Sequence, residues 1–136
     1  MSTSVTERTG RRMLRTAFAY LLIALFCALF GAVYEMFSHG VFSFFMLYAF
    51  LWPLAGGALP FVALAMLDRR QPKGRSCGLW HAGIAALTVG SIVQGVLEIY
   101  GTTNRLVNVY WYVGGLLIAA AMIDQYVFGR ISVIRR

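Results

Sequence analysis

Charge is what this chain has least of. Only 12% of its 136 residues are Asp, Glu, Lys or Arg, against 60% hydrophobic. A soluble domain carries about 25% charged residues. So thin a supply cannot coat a water-facing surface of this size, which argues against an ordinary soluble protein. Cysteine is scarce too. Cys27 lies in an apolar run, Cys77 in a basic loop, and no CxxC occurs, so neither a disulfide nor a thiolate metal site is expected. The two histidines, His39 and His81, fall at opposite ends of the expected helices, which argues against bis-axial haem ligation. Gly-rich phosphate loops, HExxH and G-x-S-x-G are all missing. No catalytic residue, metal or cofactor is therefore assigned.

What the chain does have is long apolar runs, at about 14–37, 41–67, 79–100 and 106–128. At 1.5 Å rise per residue each covers a ~30 Å hydrocarbon core. Membrane strands need only about 9–11 residues of alternating polarity, so helices are expected. The fold class is an all-α polytopic membrane protein, with four transmembrane helices as two antiparallel hairpins. A basic disordered tail is expected over 1–13 and a second basic tail over 129–136, flanking the membrane domain at 14–128. The first run is longer than a signal-peptide core and ends without an A-x-A site, so it reads as an uncleaved anchor.

The net charge of +7 does not point to nucleic acid, because the basic residues flank apolar runs. Arg8, Arg11, Arg12 and Arg15 precede the first run. Arg69, Arg70, Lys73 and Arg75 separate the second and third, and Arg130, Arg135 and Arg136 follow the fourth. Arg105 alone falls on the other side. The positive-inside rule then puts both termini in the cytoplasm, with the bacterial inner membrane as the expected location.

The halves resemble each other. GAVYEMF near the end of the first run answers QGVLEIY near the end of the third, and both halves return through aromatics to a Gly-Gly pair. A parallel internal repeat is one explanation, and the small alphabet of membrane helices is the other.

Polar chemistry inside the apolar body is sparse and therefore informative. Glu35 and Glu98 lie near the outer ends of their helices. They are either helix-end residues reaching headgroup water or one acidic site for a cation or proton. Ser91, Gln94, Gly95 and Glu98 share a helix face, and Thr88 extends it inward. Such a stripe faces protein or a hydrated path. Ala17, Ala24, Ala28, Gly31 and Glu35 make a small-residue face expected to meet the third helix, placing Glu35 beside Glu98. His39 follows Glu35 by four residues and is the remaining candidate ligand. Arg105 is the candidate to neutralise either glutamate by a salt bridge. Pro53 and Pro60 bracket Gly56-Gly57 and remove two backbone donors, giving a kink or a cavity. The aromatics near the helix ends, Tyr20 and Trp80 among them, read as interfacial belts, and Asp124 as a headgroup-level partner of Arg130.

The segments GVLEIYGTTNRLVNVYW and VYEMFSHGVFSFFMLYAF resemble pieces of small uncharacterised four-helix inner-membrane proteins of bacteria. That resemblance implies the four-helix fold and no activity. The chain departs from the small multidrug exporters, whose glutamate lies in the middle of the first helix, and carries no fluoride-channel signature. Three functions follow in order of preference. The first is a non-enzymatic accessory or interaction subunit of a membrane complex. The second is a small transporter or channel using Glu35 and Glu98. The third is a membrane redox or lipid-modifying enzyme. The expected partners are the lipid bilayer and either a second copy or a larger membrane complex.

Overall fold

A computed structural model of the chain describes residues 2–67 and 74–134, with side chains for 7–67, 74–131 and 134. Every element among them is helical. In chain order these are α1 (Ser2–Met36), α2 (Phe44–Leu47), α3 (Leu51–Pro53), a π-turn (Leu54–Ala58), α4 (Leu59–Met66), α5 (Arg75–Ile99), a 3-10 turn (Arg105–Val107) and α6 (Asn108–Ile134). Four stretches are long and apolar enough to cross a membrane: Glu7–Met36, Phe44–Met66, Arg75–Ile99 and Arg105–Ile131. Large apolar side chains crowd the exposed surface, Phe26 being 65% and Leu116 70% exposed. Such a surface suits hydrocarbon and would aggregate in water. Together these features suggest a membrane-spanning protein.

The segment expected to be disordered before residue 14 is helical from Ser2, continuous with the first span. No proline interrupts it, and Met13 is fully buried, which ties its last turn to the body. At the other end, α6 carries the fourth span on to Ile134, into the expected tail. Asp68, Arg69, Arg70, Lys73, Arg135 and Arg136 lie outside the described residues.

The main correction concerns which helices meet. α1 packs chiefly against the second span and touches α5 through Tyr20 and His81, while the densest contact is between α5 and α6. On α1 the buried residues are Met13, Ala17, Tyr20, Ala24, Cys27 and Gly31. Their alternating spacing of three and four residues makes one continuous seam. Ala17 and Tyr20 on that seam join Ala58, Phe61 and Ile84 in the core. α5 meets α6 through glycines. A Cβ on Gly83 would lie 3.1 Å from the Gly114 carbonyl oxygen, and one on Gly114 would lie 3.2 Å from that of Gly83. Backbones this close gain dispersion contact that larger side chains would prevent. With that face of α5 committed, α1 is left to the second span.

The second span is broken into α2, α3, the π-turn and α4. Leu59 N–H reaches back five residues to the Leu54 carbonyl, the mark of a π-turn. The π-turn falls between Pro53 and Pro60, which lack the N–H of a regular helical bond, and a second interruption, at 48–50, precedes both prolines. The fourth span is continuous across its own Gly-Gly pair, so the two return segments differ in conformation. α5 ends cleanly. Gly101 takes φ +74°, and Thr102 N–H donates to the Leu97 carbonyl at 2.9 Å, a Schellman closure that favours glycine.

Candidate functional site

Two polar clusters sit at opposite ends of the molecule, and the broken second span contributes to both. At the end where α1 and α5 stop, Ser43 leads into α2 in an extended conformation. Its side chain is almost fully buried. Its N–H donates to Glu35 Oε1 at 3.3 Å, and its hydroxyl donates to Glu98 Oε2 at 2.7 Å. Gln94 Nε2 donates to Glu98 Oε1 at 3.3 Å. One serine thus joins the two carboxylates, which the helix 1–helix 3 contact was expected to do. Glu35 stands one residue before the end of α1 and Glu98 one before the end of α5.

Packing explains the placement of Ser43. Met46, in the next helical turn, is buried between two glycines. A Cβ on Gly31 would come within 2.9 Å of the Met46 carbonyl oxygen, and one on Gly95 within 2.7 Å of the Met46 nitrogen. α2 is thus wedged between α1 and α5 where each lacks a side chain. Ser91, one turn before Gly95, donates its hydroxyl to the Phe45 carbonyl at 2.8 Å. Ser91 of the polar stripe of α5 therefore meets the backbone of α2, while Ser91 and Thr88 also border grooves. Thr88 closes on its own helix through the Ile84 carbonyl at 2.8 Å.

His39 and Arg105 stand apart from this cluster. α1 ends at Met36, and His39 follows in a turn with φ +56°, exposed. It does not share the helical face of Glu35. Arg105 is exposed in the 3-10 turn, and among the described residues it forms no ion pair with either glutamate.

At the opposite end, Trp80 Nε1 donates to the Gly56 carbonyl at 2.8 Å. The regular helical donor to that carbonyl would be the N–H that Pro60 lacks, so the indole replaces it. Trp80 is therefore a structural donor to the broken span. Tyr20 is no belt residue. It is buried and hydrogen-bonded through its hydroxyl to His81 Nδ1. His81 Nε2 lies 3.1 Å from Cys77 Sγ. Phe61 stacks on both rings, at 6.0 Å from Tyr20 and 5.4 Å from His81. Trp80→Phe should lower stability in detergent by about 1 kcal/mol, the usual range for such bonds in membrane bundles. A thermal melt unchanged by the substitution would show that the carbonyl needs no donor.

Asp124 pairs with Arg75 at 3.0 Å and accepts a bond from Ser76. Both partners lie in the first turn of α5, where the helix dipole favours an anion. The expected partner, Arg130, instead sits over the Tyr126 ring at 5.3 Å. The tight α5–α6 contact explains the exchange, because it brings Asp124 to the start of α5.

Both ring nitrogens of His81 are engaged, and among the described residues no group of three or more His, Cys, Asp or Glu gathers to hold a metal. The reading from sequence missed Ser43, Tyr20, Cys77 and His81. Ser43 was visible as the one polar residue in VFSFF, and Cys77 and His81 as an i, i+4 pair on one helix face. Comparison with protein-family models, curated proteins and solved structures finds no match for this chain.

Proposed function

We propose that this chain is a non-enzymatic accessory subunit of a membrane complex. It would cross the bacterial inner membrane four times as two antiparallel hairpins, with both termini in the cytoplasm. The basic flanks support that orientation. One observation carries the functional reading: three polar side chains of α5 are occupied in holding the broken second span. Trp80 serves the Gly56 carbonyl, Ser91 the Phe45 carbonyl, and Glu98 the Ser43 hydroxyl. A conduit needs such groups free to exchange partners with a solute. Here Met46 fills the space between Gly31 and Gly95 where a path would run. Four helices also leave a large apolar surface to share with a neighbour.

A second reading, a cation- or proton-handling protein, is favoured by the meeting of Glu35 and Glu98 on Ser43 without an ion pair among the described residues. One pair of measurements separates them. Proteoliposomes of the purified chain should pass sodium ions and protons no faster than empty vesicles, and Glu98→Gln should change nothing. Native mass spectrometry of gently solubilised membranes should find the chain bound to another polypeptide at fixed stoichiometry. Saturable cation flux that Glu98→Gln removes would establish the transport reading in place of the first.

A further inference from the structure

α1 and α5 touch at Tyr20 and His81 but leave a groove of about 610 Å³ between them. Arg15 lies at one end, the hydrogen-bonded Tyr20 and His81 line its middle, and Ile23 and Val89 line the other end. From Arg15 to Ile23, and likewise from His81 to Val89, is about 12 Å along the helix at 1.5 Å per residue. That is most of the ~15 Å hydrocarbon depth of one leaflet. Arg15 is exposed and forms no ion pair among the described residues. Its neighbours Arg11 and Arg12 reinforce the positive potential at that end.

We propose that this groove holds one anionic phospholipid of the cytoplasmic leaflet. Its phosphate would sit against Arg15 and one acyl chain would lie along the seam toward Ile23 and Val89. Charge complementarity identifies the occupant. The groove is cationic at headgroup level and apolar below it, the pattern of basic pockets between membrane helices on the cytoplasmic side. Arginine offers a phosphate a bidentate fork, which a zwitterionic lipid satisfies less well because its own ammonium competes. The proposal rests on the membrane orientation given above and is independent of the accessory role.

The test uses the full chain in detergent, titrated with phosphatidylglycerol or phosphatidylcholine and read by native mass spectrometry. One phosphatidylglycerol should remain bound per chain, preferred about fivefold, the effect of one arginine near an anionic surface. Arg15→Gln should remove that preference, while Arg130→Gln, at the end of α6, should keep it. Ala19→Trp fills the groove from an exposed position and should abolish the retained lipid. Ala85→Trp, exposed on the α5 side, does the same should Ala19→Trp lower the melting temperature. Equal retention of both lipids, or retention unaffected by a folded tryptophan variant, would show ordinary annular lipid and overturn the assignment. Loss of the accessory partner in the experiment above would leave these outcomes unchanged.

Discussion

Gly95→Leu is expected to destabilise the protein by about 3 kcal/mol or more, the upper end for overpacking, and to lower its melting temperature in detergent by ~10 °C. The new side chain would start 2.7 Å from the Met46 nitrogen and 2.9 Å from its Cα. These are backbone atoms, so no rotamer change relieves the clash. Retreat toward α1 is closed as well, because Met46 already fills the gap opposite Gly31. α2 must therefore leave its seat and carry Ser43 away from Glu98. Gly115→Leu is the control, since a Cβ there meets nothing within 4 Å. A melting temperature for Gly95→Leu within 2 °C of that control's, on the same scale, would mean that α2 is not held between the glycines.

The second large effect is expected at Gly57, in the π-turn. A Cβ there would clash with the ring carbons of Tyr20. Tyr20 cannot swing aside freely. It stacks against both Phe61 and His81, with its hydroxyl bonded to the latter. Gly57→Leu should therefore cost about 3 kcal/mol, and Tyr20→Ala, which opens a cavity, a similar ~3–5 kcal/mol. Combined, the two changes exchange volume across one contact. The double variant should recover about 1–3 kcal/mol relative to the sum of the single losses, a coupling typical of touching residues. Thermal or denaturant unfolding of the four proteins in one detergent measures it. Simple additivity would show that the π-turn does not press on Tyr20.

These two sites show how far the sequence could be read. The helical spans were legible because hydrocarbon crossing demands an uninterrupted apolar run, and that demand is local. The interruption between Pro53 and Pro60 was legible for a similar reason, since prolines delete donors wherever they stand, whereas that at 48–50 carried no such mark. The partner of the freed Gly56 carbonyl was not. Trp80 is distant in sequence, and an aromatic near a helix end looks the same in a belt as in a bond. The Glu35–Glu98 meeting was anticipated through the wrong contact. Small residues on α1 announce close approach without naming the neighbour. Gly83, Gly90 and Gly114 had already committed α5 to α6.

From residues alone came the helical class, the count and length of apolar spans, the sided distribution of arginine and the candidacy of two glutamates. Each rests on composition or on spacing within one helix. Pairwise choices between helices needed three dimensions. Which glycine admits which backbone, which carbonyl meets Trp80, and whether Ser43 reaches both carboxylates all depend on angles and depths of a few ångströms. In a surrounding where every helix face is apolar, hydropathy cannot rank one partner above another, and shape makes the selection.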